Sequence, residues 1–132
     1  MSQQHTLTIR VNYHETDGQG RVHHANYLNY FERGRVELMR SLGSSYKQFE
    51  ADGLMLVVAE MNVKYHQLAE FDDLLTLKTT VLEAHGARIR HRYEIFREDQ
   101  ILVYAESVIA CVRPDGRATR LPVELQQGRR RS

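Results

Sequence analysis

The segment Glu15-Thr16-Asp17-Gly18-Gln19-Gly20-Arg21-Val22-His23-His24 sets one carboxylate in a glycine-rich loop that runs straight into a long amphipathic stretch. The first N–H groups of a helix have no partner within the helix and carry the positive end of its macrodipole. A loop that folds back on that end brings an acid beside ready donors for an oxyanion. Acyl transfer needs those parts. Asp17 is the candidate acid, as nucleophile or as general base toward water. Gly18 and Gly20 let the backbone around it approach a ligand closely. The same Asp-Gly pair also fits a turn carboxylate that caps its own loop. His24 stands in the first turn, where its backbone N–H faces the site and its imidazole is placed to bond a substrate.

Other chemistries find less support. His23 and His24 are adjacent, so their side chains diverge, and none of the seven histidines shows a metal-ligand spacing. His66, His85 and His91 are isolated and read as satisfied or solvated. There is no G-x-S-x-G elbow and no G-x-x-x-x-G-K-[ST] phosphate loop. Arg88, Arg90 and Arg92 alternate along a predicted strand and share one face. That face is either a solvated charged surface or a rim that meets phosphates. The lone Cys111 excludes an intramolecular disulfide and reads as a buried thiol in a strand.

Composition narrows the setting. A chain of 132 residues, 42 % hydrophobic and 27 % charged, fits one globular domain with a single sizeable core. With a net charge of +1 and scattered basic residues, nucleic acid is not the expected partner. No apolar run is long enough to span a bilayer, and Met1–His5 lacks the pattern of a secretion signal. The expectation is a cytoplasmic protein with no metal or redox cofactor. Residues from about 125 to 132, including Arg129-Arg130-Arg131, read as a flexible tail.

The elements that must position Asp17 and His24 follow from periodicity. Alternation over 6–13, with Leu7, Ile9, Val11 and Tyr13 on one face, predicts a half-buried strand. From about His24 to Leu42, Tyr27, Phe31, Gly34, Leu38 and Leu42 recur at helical spacing, flanked by Leu28 and Met39. This predicts a helix about 28 Å long. Glu32, Arg33, Arg35, Glu37 and Arg40 fall largely on its far side, with Arg33 and Glu37 at ion-pair spacing, and Gly43 ends it. A short, helix-compatible connection over Ser44 to Asp52 precedes four predicted strands, Leu54–Tyr65, Leu74–Glu83, Ala87–Arg97 and Ile101–Val112. The pattern predicts an α+β architecture, the sheet wrapped round the helix. Long strands leave exposed edges, and dimerisation by edge pairing covers them economically.

The run E-T-D-G-Q-G-R-V-H-H-A-N-Y-L-N-Y-F-E resembles the signature of the 4-hydroxybenzoyl-CoA thioesterase-like hotdog family, and within it the bacterial Tol–Pal-associated acyl-CoA thioesterases. Further marks are the strand Val57–Tyr65, F-D-D-L-L-T-L at Phe71–Leu77 and D-G-R-A-T-R-L-P at Asp115–Pro122, so the similarity covers nearly the whole chain. The resemblance implies a five-stranded antiparallel sheet round one central helix, assembled as a dimer or a dimer of dimers with active sites at subunit interfaces. It implies that Asp17 is the catalytic carboxylate and that the N–H of His24 polarises the thioester carbonyl. Asn26 and Tyr27 match the substrate-binding motif just beyond, and Arg88 and Arg90 fall where some relatives hold coenzyme A phosphates. Glu15 stands where many relatives have Asp, His23 where Tyr or Phe is common, and the Pro or Ala often found between Asp17 and Arg21 is absent.

The implied activity is hydrolysis of acyl-CoA to free acid and coenzyme A. Acyl carrier protein in place of coenzyme A, a hydratase or dehydratase on the same fold, and a silent domain that binds acyl groups or partner proteins are the alternatives. The sequence leaves acyl preference open.

Overall fold

The computed structural model describes residues 3–44, 46–122 and 125–126. Strand β1 (Gln4–Arg10) leads through a single helical turn at Tyr13–Glu15 and the glycine-rich loop into helix α1 (His24–Ser41). A short helix α2 (Tyr46–Ala51) precedes strands β2 (Met55–Tyr65), β3 (Leu74–His85), β4 (Arg88–Arg97) and β5 (Gln100–Val112). The five strands form one antiparallel sheet in the order β1-β3-β4-β5-β2. Strands β3, β4 and β5 follow one another through tight turns, with Glu98 at φ 55° in the second. The long connection that carries the candidate site crosses from β1 at one edge.

Helix α1 buries Tyr27, Tyr30, Phe31, Gly34, Arg35, Leu38 and Met39 against the sheet. Two apolar clusters result. One gathers Tyr27, Tyr30 and Phe31 with Ile9, Leu75, Leu77, Tyr93, Ile95 and Val103; the other gathers Leu38 and Phe49 with Val81, Ile89, Ile109 and Cys111. Gly34 sits where the helix comes closest to β3: a Cβ there would lie 2.3 Å from Thr79 Oγ1. The helix ends as the sequence predicts. Gly43, at φ 88°, donates its N–H to Arg40 O at 3.0 Å, and Ser44 N–H reaches Met39 O at 3.0 Å, which satisfies carbonyls the last turn leaves open.

Several expectations from periodicity are corrected. The first strand begins earlier and ends at Arg10, although Val11 N–H still donates to Asp73 O at 2.9 Å. Asn12 then opens the Tyr13–Glu15 turn, which turns Tyr13 outward to 74 % exposure, edge-on to Phe71 at 5.4 Å. Alternation alone does not register such a turn. Leu28 and Leu42 lie outside the buried arc and are exposed. Arg35, expected on the charged side, is only 8 % exposed and donates to Tyr93 Oη at 3.0 Å. Glu37 pairs with Arg40 rather than with Arg33. Cys111 is buried, and desolvation pushes its thiol pKa up. Leu125 packs on the second cluster and Gln126 Nε2 donates to Leu121 O at 3.1 Å; residues 127–132, with the arginine run, lie outside the described residues.

Candidate active site

Local hydrogen bonds shape the loop around Asp17. Thr16 and Val22 bridge, Asp17 N–H donates to Arg21 O at 2.8 Å, and Gly20, at φ 82°, donates to Asp17 O at 3.1 Å. The Asp17 carboxylate takes part through one oxygen only. Oδ1 accepts from Gln19 N–H at 2.8 Å and from Arg21 N–H at 3.3 Å, whereas Oδ2 has no partner among the described residues. The bond from Gln19 N–H, aided by the Arg21 N–H and the nearby positive groups, holds the carboxyl below its ordinary pKa. The loop is therefore capped by its own carboxylate, as the turn reading requires. One oxygen stays free and ionised, as the catalytic reading requires.

The far side of the loop is tied to the segment before β3. Val22 N–H donates to Ala69 O and Phe71 N–H to Gly20 O, both at 2.8 Å. The buried Tyr27 reaches the same place from the helix, its Oη accepting from Ala69 N–H at 3.0 Å. Asn26 is half-buried and sends its Nδ2 to Glu15 O at 2.8 Å. Asn26 and Tyr27, the matched motif residues, thus pin the loop and the strand-leading segment to the first turn of α1.

At the helix start, His23 is the N-cap. Its Nδ1 accepts from Ala25 N–H at 3.2 Å, and its ring stacks on His24 with centroids 4.6 Å apart, so the two side chains do not diverge as their adjacency alone implies. Asn26 N–H folds back to His23 O at 2.8 Å. His24 N–H is left without an acceptor among the described residues, a free donor at the positive end of the helix. No group of three or more His, Cys, Asp or Glu side chains among the described residues is arranged to hold a metal ion.

Glu15 does more than the sequence reading assigned to it. Its Oε1 accepts from Asn12 N–H and from Tyr30 Oη, each at 2.8 Å, and its backbone O accepts from His23 N–H at 3.0 Å as well as from Asn26. One residue therefore clamps the loop to the helix two positions before Asp17. The available signal was the Asn12-x-x-Glu15 spacing, which is that of a capping box.

Arg88 and Arg90 are not brought to Asp17 and His24 within one chain. They lie on the face of β4 opposite to Ile89, His91 and Tyr93, which face the helix. Arg90 is held between Glu83 at 3.6 Å and Glu106 at 3.2 Å, whereas Arg88 makes no ion pair among the described residues. Both line an open groove with His85, Gly86 and Val108.

Comparisons with known proteins agree with this architecture. Residues 11–128 match the family model described as the Thioesterase-like superfamily. The acyl-CoA thioesterase YbgC of Haemophilus influenzae is 38 % identical over 108 residues, covering 81 % of this chain and 79 % of that protein. The crystal structure of a probable thioesterase from Bartonella henselae superposes with a TM-score of 0.85 at 36 % identity, covering 90 % of this chain and 99 % of the other. That of a DHNA-CoA thioesterase from Staphylococcus aureus gives 0.86 at 28 % identity, covering 89 % and 80 %. With its five-stranded antiparallel sheet packed on one long helix and its loop–helix signature inside the matched span, the chain belongs to the thioesterase-like, hotdog-fold superfamily.

Proposed function

We propose that this protein hydrolyses acyl-CoA thioesters, with Asp17 and the N-terminus of α1 as its working parts. The observation that carries the reading is a carboxylate oxygen, Asp17 Oδ2, and a helix-start donor, His24 N–H, both without partners among the described residues, at the two ends of one clamped loop–helix segment. In one route Asp17 attacks the carbonyl carbon, the C–S bond breaks, and thiolate leaves; water then opens the mixed anhydride. In the other, Asp17 takes a proton from water, the hydroxide attacks, and the proton passes to the departing sulfur. In both, His24 N–H stabilises the tetrahedral oxyanion, strengthened by the helix dipole. A thiolate is a good leaving group, so no further acid is required.

Asn26 and Tyr27 hold the floor on which the acyl carbonyl rests. Arg88 is the better phosphate contact of the two arginines, since Arg90 is already neutralised by two carboxylates. Because both lie across the sheet from Asp17, one complete site draws on two subunits. The acidic partner is coenzyme A, the setting cytoplasmic. No described helix is long and apolar enough to cross a membrane.

A thiol-release assay over short, long-chain and aromatic acyl-CoAs tests the activity, and Asp17→Asn tests the mechanism. Asn keeps the cap to Gln19 N–H while removing basicity and nucleophilicity. The expected outcome is a kcat lower by about 10²–10⁴-fold with an unchanged melting temperature. Turnover by Asp17→Asn within a few-fold of the parent would sink the assignment.

A further inference from the structure

The loop that carries Asp17 rests on a turn that supplies none of the proposed reacting groups. Arg21 bridges Glu70, and the flanking bonds from Val22 N–H to Ala69 O and from Phe71 N–H to Gly20 O complete a short antiparallel pairing. Tyr27 meets the same turn from the first turn of α1 through Ala69 N–H. The end of β1 joins it from the other side. Val11 N–H donates to Asp73 O at 2.9 Å, Asp72 N–H to Val11 O at 3.1 Å, and Arg10 Nη1 to Asp72 O at 2.8 Å. Residues 69–73 thus bring together the strand before the loop, the loop itself and the helix after it.

The turn lies outside the named strands and helices, and its own backbone bond, from Asp73 N–H to Glu70 O, is 3.1 Å long. Asp72 within it adopts φ 72°, a left-handed conformation that a residue other than glycine seldom takes and that its surroundings must hold. Asp73 ties the turn down. Its Oδ2 accepts from Glu70 N–H at 2.8 Å, and the same oxygen accepts from Arg97 Nη1 at 2.7 Å. Arg97 is the last residue of β4, which lies between β3 and β5 in the middle of the sheet. The two side chains are only 21 % and 30 % exposed, so a short, charge-assisted bond is partly shielded from screening by salt. The turn is thereby anchored to the stiffest part of the fold, 24 residues further along the chain.

Acyl transfer needs its carboxylate and its oxyanion donor held to within about 0.5 Å, and a misplacement of about 1 Å can cost 10²-fold in rate. We propose that the Asp73–Arg97 ion pair positions the active site, fixing the turn against which the Asp17 loop and the start of α1 are seated. Neither residue touches the reacting atoms. Both act through the backbone of Ala69, Glu70 and Phe71, which the loop and Tyr27 meet directly. The Glu15 clamp holds the chain before Asp17; the ion pair holds the chain after it. For its chemistry this inference rests on the hydrolase reading, whereas its structural content does not.

Two substitutions in the full-length protein, Arg97→Met and Arg97→Lys, test it by steady-state kinetics and by amide hydrogen exchange. On the fastest acyl-CoA of the thiol-release panel, Arg97→Met should lower kcat by about tenfold or more with KM within about twofold of the parent. It should also speed exchange in residues 17–24 by about tenfold while β5 exchanges as in the parent. Arg97 gives Asp73 one N–H, which a lysine ammonium can replace, so Arg97→Lys should stay within about threefold of the parent in both measurements. Should Arg97→Met not fold, Asp73→Asn takes its place with the same expectations, since it keeps an acceptor for Glu70 N–H and loses the charge. A parent without thioesterase activity would remove the hydrolase reading and leave the exchange measurement to decide the role of the ion pair. Parent-like exchange of the loop in Arg97→Met, equal acceleration in β5, an unchanged kcat in an active enzyme, or an Arg97→Lys as impaired as Arg97→Met would each overturn the proposal.

Discussion

At the scale of single residues, the proposed oxyanion donor is a backbone group, which makes it testable in an unusual way. His24 is the first helical residue, and His23 before it is extended, at φ −66° and ψ 135°. Proline is well accepted at that position and demands that extended conformation of its predecessor. His24→Pro therefore removes the N–H and leaves the helix intact, whereas His24→Ala removes the imidazole and keeps the N–H. If the donor is the backbone, His24→Pro should lose about 10²–10³-fold in kcat and His24→Ala less than tenfold. Steady-state kinetics on the two variants, each checked for native helicity, separate the contributions. An active His24→Pro would remove the helix start from the mechanism.

At the scale of elements, the close approach of α1 to β3 is set by Gly34. In an exposed helix, alanine at that position would add roughly 1 kcal/mol of stability. Here the new methyl group meets Thr79 Oγ1 at 2.3 Å and Leu77 Cδ2 at 2.9 Å, both on a packed strand. Forced overpacking costs about 1–3 kcal/mol, so Gly34→Ala should lower the midpoint of denaturant unfolding instead of raising it. The clamp at Glu15 works at the same scale. It joins the turn that follows β1 to the start and the second turn of α1 through four bonds to one residue, and so sets where Asp17 can stand relative to the helix.

At the scale of the whole molecule, two properties follow from what the sheet exposes and what it buries. Edge strand β2, eleven residues long, presents Met55, Val57, Val58 and Tyr65 to solvent, and its outer edge pairs with no strand among the described residues. An edge of that kind invites a second copy. Sedimentation at micromolar concentration should give a multiple of the 15.4 kDa chain mass, and Val58→Lys should shift the population toward that mass. A single species of 15.4 kDa for the parent would remove the two-subunit site. The buried His91 gives the second property. The unfolded chain protonates it near pH 6.5, whereas the folded state keeps it neutral down to about pH 3. The unfolded state thus holds the extra proton, and stability falls as pH drops below 6.5, by up to about 1.4 kcal/mol per pH unit. His91→Gln should flatten the loss of melting temperature between pH 7 and pH 4.5; an equal slope in both proteins would contradict this account.

The sequence by itself determined the succession of the main elements and marked out the candidate site proposed above. Helical spacing marked α1, Gly43 ended it, and the loop from Glu15 to His24 announced a carboxylate beside a helix start; all of these are patterns between near neighbours in the chain. Only the tertiary structure decided that Tyr13 leaves the strand, that Arg35 turns inward, and that His91, read as satisfied or solvated, is a buried imidazole whose Nδ1 has no partner among the described residues. It also placed Arg88 and Arg90 across the sheet from Asp17. The reason is physical. A residue's local pattern fixes which way it points along its own helix or strand. Whether that direction meets solvent, a tyrosine hydroxyl or an apolar wall depends on strands that the chain supplies much later, as in the Arg35–Tyr93 bond across 58 residues.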